Sequence, residues 1–164
     1  MSGARGGGGT NRTDLLVLLH GVNLNLLGER PPGHYGTVTL AELETLVGHE
    51  AALRGWDCVC HQTNHEGEFV ELVHRYRRLA TAMIVNPGAW THYSWAIRDA
   101  LELVDCPIAE VHLSAVEERE EWRRLSVVGE LAAVRISGKG AQGYIEAVRA
   151  LADIVNERER RGAR

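Results

Sequence analysis

Short apolar runs alternate with segments of helical spacing along this 164-residue chain. Runs such as Leu15–Leu19 are continuously apolar, which is typical of strands that are buried on both faces. Segments such as Leu40–Leu53 repeat apolar residues every three or four positions, as amphipathic helices do. The predicted strands are Leu15–Leu19, Cys58–Gln62, Met83–Val85, Pro107–Leu113 and Leu131–Ile136. The predicted helices are Leu40–Leu53, Glu66–Leu79, Trp90–Val104 and Ala141–Val155.

This alternation predicts a single α/β domain. Parallel strands need crossover connections, and the helices between them provide these while covering both faces of the sheet. Five strands over residues 14–155 fit a flavodoxin-like three-layer fold, with a five-stranded parallel sheet of order 2-1-3-4-5 and helices on both faces. We expect a disordered Gly-rich tail over 1–13 and a charged C-terminal tail over 156–164.

The composition argues against several classes of function. The formal net charge is −4, so the chain has no basic surplus for a nucleic-acid backbone. Lys139 is the only lysine, and any Schiff-base mechanism would have to use it. The longest apolar run near the N-terminus, Leu15–Leu19, is too short to span a bilayer. We therefore expect a cytoplasmic protein that binds neither nucleic acid nor a membrane.

Motifs for nucleotides and metals are incomplete. Gly138–Gly143 reads G-x-G-x-x-G, but a dinucleotide site also needs a second strand with an acidic residue about 20 residues further on, where this chain ends. We interpret the segment as a strand-to-helix turn. His61 and His65 stand four apart, but they straddle a predicted strand end and no third ligand completes a known pattern. The sequence thus predicts no metal and no cofactor.

Polar residues gather where the predicted strands end, at the edge where open α/β sheets bind ligands. A long connection, Asn23–Val38, leaves the first strand there, and long connections in compact domains are usually functional. The strand-end residues are His20, Asn23, Asn25, Arg30, Tyr35, Asn64, His65, Glu66, Asn86, Thr91, His92, Ser94, Glu110, His112 and Ser114, followed by Arg119, Arg123 and Arg124. Each alone is compatible with a turn cap or a surface ion pair. Their convergence on one edge favours a site.

Five ordered motifs resemble the type II 3-dehydroquinate dehydratases. The first, His20–Gly36, matches most of the family pattern N-G-P-N-L-N-x-L-G-x-R-x-P-x-x-Y-G. The others are Gln62–Gly67 for Q-S-N-x-E-G, Asn86–Ser94 for N-P-G-A-x-T-H-x-S, Glu110–Ser114 for E-V-H-L-S, and the turn Gly138–Tyr144. The resemblance extends over residues 14–155.

The resemblance implies a cofactor-free dehydration of 3-dehydroquinate to 3-dehydroshikimate in the shikimate pathway of aromatic amino acid biosynthesis. A base removes the C2 proton beside the ketone to give an enolate, and the C1 hydroxyl then leaves with help from an acid. By position, the catalytic residues are Tyr35 as base, Arg30 and Arg119 as its cationic neighbours, Asn23 near the enolate oxygen, and His112 as acid oriented by Glu110. The implied substrate-binding residues are Asn86, His92, Asp99, Leu113, Ser114 and Arg123.

The resemblance also implies self-association into trimers and a homododecamer, in which Asp99 reaches the site of a neighbouring subunit. The departures from the family pattern are His20 for Asn, Val22 for Pro, Ala115 for Asn and Gly129 for Ser or Thr. None of them is a residue with an implied proton-transfer role. Two alternatives remain open: a paralogue acting on an amino analogue of dehydroquinate, and a flavodoxin-like binding module without catalysis.

Overall fold

The computed structural model describes residues 13–29 and 32–163, which form one parallel sheet in the order β2-β1-β3-β4-β5 between two layers of helices. The strands are β1 Leu15–His20, β2 Asp57–Gln62, β3 Ala82–Asn86, β4 Ile108–Val111 and β5 Val134–Ile136. The helices are α1 Pro32–Tyr35, α2 Leu40–Ala52, α3 Glu66–Tyr76, α4 Trp95–Leu101 and α5 Gly140–Gly162. Turns of 3₁₀ helix lie at Leu24–Leu26, Gly88–His92, Val116–Glu118, Glu121–Arg123 and Gly129–Leu131. The predicted fold class and strand order are confirmed.

β1 lies between β2 and β3, and it is buried on both faces. Leu16 and Leu18 pack into the cluster formed with α2 and α5, whereas Val17 and Leu19 pack into the cluster formed with α3 and α4. Successive side chains of a strand point to opposite faces, so a continuous apolar run supplies both cores. This is why the strand reads as an unbroken apolar run and not as an alternating one.

α2 begins at a capping box that fixes where the long connection after β1 ends. The Thr39 hydroxyl accepts a hydrogen bond from the backbone N–H of Glu42 at 3.2 Å, and the Glu42 carboxylate accepts one from the backbone N–H of Thr39 at 2.8 Å. Two otherwise unsatisfied N–H groups of the first turn are satisfied in this way. The helix then buries Leu43 and Val47 against the sheet.

The register brings the ends of three central strands together. His20 is paired with Asn86 across β1 and β3, and Val85 is paired with Glu110 across β3 and β4. Beyond the strands, the backbone N–H of Gly21 donates to the carbonyl of Asn86 at 2.8 Å. The segments that follow β1 and β3 therefore meet at one edge of the sheet.

Several predicted element boundaries are wrong. The segment Trp90–Val104 is not one helix, because the backbone departs from helical angles at Tyr93 and Ser94 caps a new helix by accepting a hydrogen bond from the N–H of Ile97 at 3.0 Å. β4 ends at Val111, so His112 and Ser114 lie beyond the strand. β5 begins only at Val134. Between β4 and β5, Arg119 and Arg123 lie at or after two separate 3₁₀ turns, Val116–Glu118 and Glu121–Arg123.

The charged C-terminal segment, predicted as a tail from residue 156, is largely helical because α5 continues to Gly162. Its glutamates and arginines are good helix formers, and pairs such as Glu157 and Arg161 lie four residues apart with 3.8 Å between their charged atoms. The predicted N-terminal tail lies outside the described residues except for Thr13. No helix of the described part of the chain is long and apolar enough to cross a membrane.

The close approach at Gly21 predicts a large loss of stability for Gly21→Ala. A Cβ there would lie 2.2 Å from the Pro87 carbonyl oxygen, which belongs to the backbone and cannot move aside easily. We expect a loss of about 3 kcal/mol in the free energy of unfolding, measured with urea. Gly48→Ala in α2 is the matched control, because its Cβ meets nothing within 4 Å and should stabilise the helix by about 1 kcal/mol. Equal stability of the two variants would contradict this account.

Candidate active site

A polar cavity opens at the carboxyl edge of the sheet, between the segments that follow β1, β3 and β4. Its walls include eight of the residues that the sequence singles out: Asn23, Tyr35, Asn86, His92, His112, Leu113, Ser114 and Arg123. The remaining lining residues are Val22, Leu24, Gly88, Ala89 and Val116. The fold thus brings residues from distant parts of the sequence to one small-molecule-sized site.

Asn86 is held rigidly at the end of β3. Its amide nitrogen donates to the hydroxyl of Tyr144 at 2.7 Å, and its amide oxygen accepts from the backbone N–H of Gly88 at 3.1 Å. Tyr144 lies on α5 and is completely buried, and this burial raises the pKa of its phenol. It therefore stays a neutral hydroxyl. The sequence marks Tyr144 only as part of a turn, and its hydrogen bond to Asn86 was missed.

The segment after β1 is fixed by a cluster of amides. Asn23 adopts left-handed backbone angles with φ 65°, a conformation that asparagine tolerates better than most residues. The side-chain oxygen of Asn64 accepts from the backbone N–H of Asn23 at 2.8 Å, and its nitrogen donates to Asn25 at 3.1 Å. Gln62 donates to the carbonyl of Gly21 at 3.2 Å. The loop is therefore tied to the end of β2, with Asn23 on the cavity wall.

Glu110 is a buried carboxylate behind the cavity wall, at the end of β4. Its Oε1 accepts hydrogen bonds from His112 Nε2 at 2.9 Å, from Ser126 Oγ at 2.7 Å and from the Thr91 hydroxyl, while its Oε2 accepts from Arg135 Nε at 3.2 Å. Burial alone would raise the pKa of Glu110, but the hydrogen bond and charge of His112 and the two hydroxyl donors outweigh it and lower the pKa to about 2. Glu110 is therefore ionised, and because it can only accept, His112 carries its hydrogen on Nε2. The sequence flags Thr91, but Ser126 and Arg135 were missed.

His92 stands beside His112 on the cavity wall. Its Nδ1 donates to the backbone carbonyl of Leu125 at 2.6 Å, its ring lies nearly parallel to that of His112 with 6.5 Å between centroids, and Trp122 packs against it edge-on. Desolvation is the main cause that lowers the pKa of His92, and the positive charges of His112 and Arg123 act in the same direction. A neutral His92 offers its Nε2 to a ligand as an acceptor.

Tyr35 lines the cavity and contacts Arg119, which is not itself a lining residue. Arg119 Nη1 donates to the Tyr35 hydroxyl at 3.4 Å, and the guanidinium carbon lies 5.9 Å from the centre of the phenol ring. The hydrogen bond with Tyr35 is the main cause that raises the pKa of the Arg119 guanidinium. Tyr35 belongs to α1, whereas Arg119 follows the 3₁₀ turn after β4. Arg30, predicted beside Tyr35, lies outside the described residues.

Two residues that the sequence singles out, Asp99 and Lys139, lie away from the cavity. Asp99 is exposed on α4 and does not line the cavity. Lys139 pairs with Glu146 at 2.5 Å and is not among the lining residues either. Within residues 13–29 and 32–163, no group of three or more His, Cys, Asp or Glu side chains is placed to hold a metal ion.

The same chain matches known proteins over nearly its whole length. The family model of dehydroquinase class II matches residues 14–152. The chain belongs to this family. The 3-dehydroquinate dehydratase of Pelotomaculum thermopropionicum is 47% identical over 137 residues, which cover 84% of this chain and 95% of that protein. The 3-dehydroquinate dehydratase 2 of Pseudomonas putida is 44% identical over 144 residues, which cover 88% and 97%.

Solved structures of the class II dehydroquinase family share this architecture. The type II dehydroquinase of Propionibacterium acnes superimposes with a TM-score of 0.82 at 36% identity, over 86% of this chain and 97% of that one. A 3-dehydroquinate dehydratase-like protein of Bifidobacterium longum is more distant, with a TM-score of 0.65 at 25% identity, over 87% of this chain and 98% of that one. The resemblance inferred from the motifs is confirmed at the level of family and fold.

The depressed pKa of Glu110 predicts a pH-dependent stability. Its pKa is about 2 in the folded chain and 4.5 ordinarily, so its ionised form contributes about 3 kcal/mol above pH 4.5, and this contribution is lost as the pH falls from there toward 2. We expect the free energy of unfolding to fall less steeply between about pH 6 and about pH 3 in Glu110→Gln than in the wild type. Glu130 supplies the control, since its carboxylate is 81% exposed and pairs only at the surface with Arg98, so Glu130→Gln should keep nearly the wild-type slope. Parallel curves for all three proteins would refute the assignment.

Proposed function

We propose that this chain is a 3-dehydroquinate dehydratase of the shikimate pathway that works through an enolate. The observation that carries the proposal is that one cavity is lined both by Tyr35, whose hydroxyl accepts a hydrogen bond from Arg119, and by His112, which is bonded to Glu110. A base and an acid on the same cavity are what a dehydration next to a ketone requires. The family membership makes 3-dehydroquinate the substrate to which this pair is assigned.

Tyr35 acts as the base. A free tyrosine has a pKa of about 10, so a tyrosinate at neutral pH needs positive charge beside it. Arg119 supplies that charge in the described structure, and the resemblance adds Arg30. Tyrosinate takes the C2 proton, the C2–H electron pair forms the enolate, and negative charge develops on the C3 oxygen. Asn23, which is fixed by Asn64, is assigned to hold a water molecule against that oxygen.

His112 acts as the acid in the second step. The enolate electrons return to form the C1–C2 double bond and restore the ketone, while the C1–O bond breaks and the hydroxyl leaves as water with a proton from His112. With Nε2 bonded to Glu110, the proton comes from Nδ1. The ionised Glu110 stabilises the charged imidazole before the transfer and keeps the ring in one orientation.

The other lining residues bind the substrate. Asn86 and Ser114, with the backbone of Leu113, are assigned to the carboxylate and the nearby hydroxyl groups. His92 and Arg123 are assigned to the remaining ring hydroxyls. The Arg123 guanidinium lies 4.1 Å from the ring centre of Trp122 and pairs with Glu120 at 3.0 Å, which restricts its position. Neither step requires a metal or an organic cofactor, because the substrate ketone itself stabilises the carbanion.

Self-association into trimers and a homododecamer is part of the proposal. Asp99, which the resemblance assigns to the site of a neighbouring subunit, is exposed on α4 of the single chain. Trp95 begins the same helix and is 67% exposed, an unusual exposure for an indole that a subunit contact would remove. Light scattering of the purified chain tests the assembly, and a monomer at micromolar concentration would contradict it.

An amino analogue of dehydroquinate is the second substrate to be tested, because Val22 lines the cavity where the family has Pro. A second departure near Asn23, His20, is fully buried, and its burial lowers the pKa of the imidazole to about 4. A neutral His20 behind the wall does not add charge for an amino group. Parallel assays should therefore show a higher kcat/KM for 3-dehydroquinate, and a preference for the amino analogue would move the function to that paralogue.

Dehydration is measured directly by the rise in enone absorbance after 3-dehydroquinate is added in the presence of a chelator. We expect turnover in the wild type and a loss of at least about 100-fold in kcat for Tyr35→Phe, since general bases contribute at least that factor. The kcat of Arg30→Ala and the kcat of Arg119→Ala should also fall. Tyr93→Phe is the matched control, because Tyr93 is exposed and outside the cavity. Ligand binding without turnover in the folded wild type would support the binding-module alternative.

The proposed enolate chemistry predicts that Lys139 is dispensable. Lys139 Nζ is paired with Glu146, and the residue is not among those that line the cavity, so no imine with the substrate is expected. Lys139→Arg should keep kcat within about twofold of the wild type. Borohydride added during turnover should neither inactivate the enzyme nor attach substrate mass to it. A folded but inactive Lys139→Arg variant would overturn the enolate assignment.

A further inference from the structure

Arg135 contacts Glu110, the carboxylate that orients the proposed acid His112. It stands on β5 opposite Glu110 in the register of β4 and β5, and its Nε donates to Glu110 Oε2 at 3.2 Å. The carboxylate is 1% exposed on its side chain, whereas Arg135 is 55% exposed. The other oxygen of Glu110 is shared by the three hydrogen-bond donors on the active-site side. Arg135 thus links the buried Glu110 carboxylate to a partly solvent-exposed side chain.

Gly129 leaves the space that the Arg135 side chain occupies. A Cβ at Gly129 would lie 2.7 Å from both Cζ and Nε of Arg135, and 3.0 Å from its Nη2. The backbone at Gly129 does not require glycine by its angles, since its φ is not positive. Gly129 stands where the family pattern has Ser or Thr, and the Arg135 side chain that fills this space supplies a reason for the departure. The position of the Arg135 side chain therefore requires that residue 129 has no side chain.

A second cavity, of about 320 Å³, lies on the other side of the acid. It is lined by Glu110, His112, Val116, Glu117, Arg124, Arg135, Ile136 and Ser137. We refer to it as the rear cavity. Because His112 lines both cavities, it separates the substrate from a polar space in which Arg135 is half exposed. A charged group in the rear cavity can therefore change the electrostatic environment of Glu110 without contacting the substrate.

Charged and titratable groups face the Glu110–His112 pair from each neighbouring segment. Arg135 contributes a positive charge from β5, Glu117 a negative one from the turn Val116–Glu118, and Arg124 a positive one at the rear cavity. On the substrate side, the groups are Tyr35, His92 and Arg123. The Glu117 carboxylate is held by Ser137 at 2.5 Å. Among the cations that face the pair, Arg135 makes the direct hydrogen bond to Glu110.

We propose that Arg135 is a positioning residue that fixes Glu110 from the rear cavity and sets the acidity of the Glu110–His112 pair. Its guanidinium neutralises part of the carboxylate charge, which would otherwise hold the imidazole proton more tightly. Removing that guanidinium makes the pair a weaker acid, so the pair loses its proton at a higher pH. The expected change is about half a pH unit, because the guanidinium is partly screened by solvent.

The experiment compares Arg135→Val with the wild type in two independent measurements. The first is the pH profile of kcat for 3-dehydroquinate, whose alkaline limb should move upward by about half a unit while KM stays unchanged. The second is deuterium exchange at the ring Cε1 of His112, followed over pH by mass spectrometry, whose midpoint should move in the same direction. Arg135→Lys keeps the charge and should restore much of both positions.

Gly129→Ala supplies the sharper test, since its Cβ should displace the guanidinium without removing it. We expect Gly129→Ala to shift both readouts as Arg135→Val does, and to add nothing in the Gly129→Ala/Arg135→Val double variant. Arg149→Val is the matched control. Arg149 is 53% exposed and paired with a buried carboxylate, Glu50, at 2.9 Å, but neither residue lines the cavity.

Two results would overturn the inference. One is an unshifted exchange midpoint in folded Arg135→Val, and the other is a further shift when Gly129→Ala is added to that variant. The kinetic readout rests on the proposed function, but the exchange readout does not. A wild type without turnover would therefore refute the dehydratase assignment while leaving the role of Arg135 to be decided by exchange alone.

Discussion

The arrangement of the site depends on one buried ion, the carboxylate of Glu110. A charge that is 1% exposed is stable only if hydrogen bonds replace the water it has lost, and Thr91, His112, Ser126 and Arg135 provide them. These donors come from the segments after β3 and β4, from the segment between the turns Glu121–Arg123 and Gly129–Leu131, and from β5. Satisfying one carboxylate therefore fixes four parts of the chain relative to each other, and His112 is oriented as a consequence.

The two groups proposed for proton transfer lie on different kinds of structure. His112 and Asn86 are fixed by the ends of central strands, and Asn86 is further tied to α5 through Tyr144. Tyr35, in contrast, lies on the four-residue helix α1, where it packs against one of the core clusters and accepts a hydrogen bond from Arg119 at 3.4 Å. The proposed acid is thus held in place by the sheet, while the proposed base depends on the position of the short helix α1. This division suits a site that must admit substrate and then exclude water.

The fold class and strand order could be predicted from the sequence because the alternation of buried strands and amphipathic helices is a local signal. Prediction failed at the ends of elements, where single residues decide the boundary: the predicted helix Trp90–Val104 is interrupted by the Ser94 cap, and the charged end of α5 stays helical. The strand ends and family motifs located the cavity residues in advance. The contact of Arg135 with Glu110 is between residues 25 positions apart, and only the register of β4 and β5 reveals it. A lone charge inside an apolar strand pattern was the available signal.

The central claim is that the ionised Glu110 orients and charges His112, so the most direct measurement is the steady-state kinetics of Glu110→Gln with 3-dehydroquinate. Glutamine keeps the shape of the side chain and acceptor capacity for Thr91 and Ser126 but removes the charge. We predict a fall in kcat of about 100-fold with KM changed by less than about threefold, because the interaction acts on the proton transfer and Glu110 does not line the substrate cavity. An unchanged kcat, or a rise in KM alone, would contradict the account.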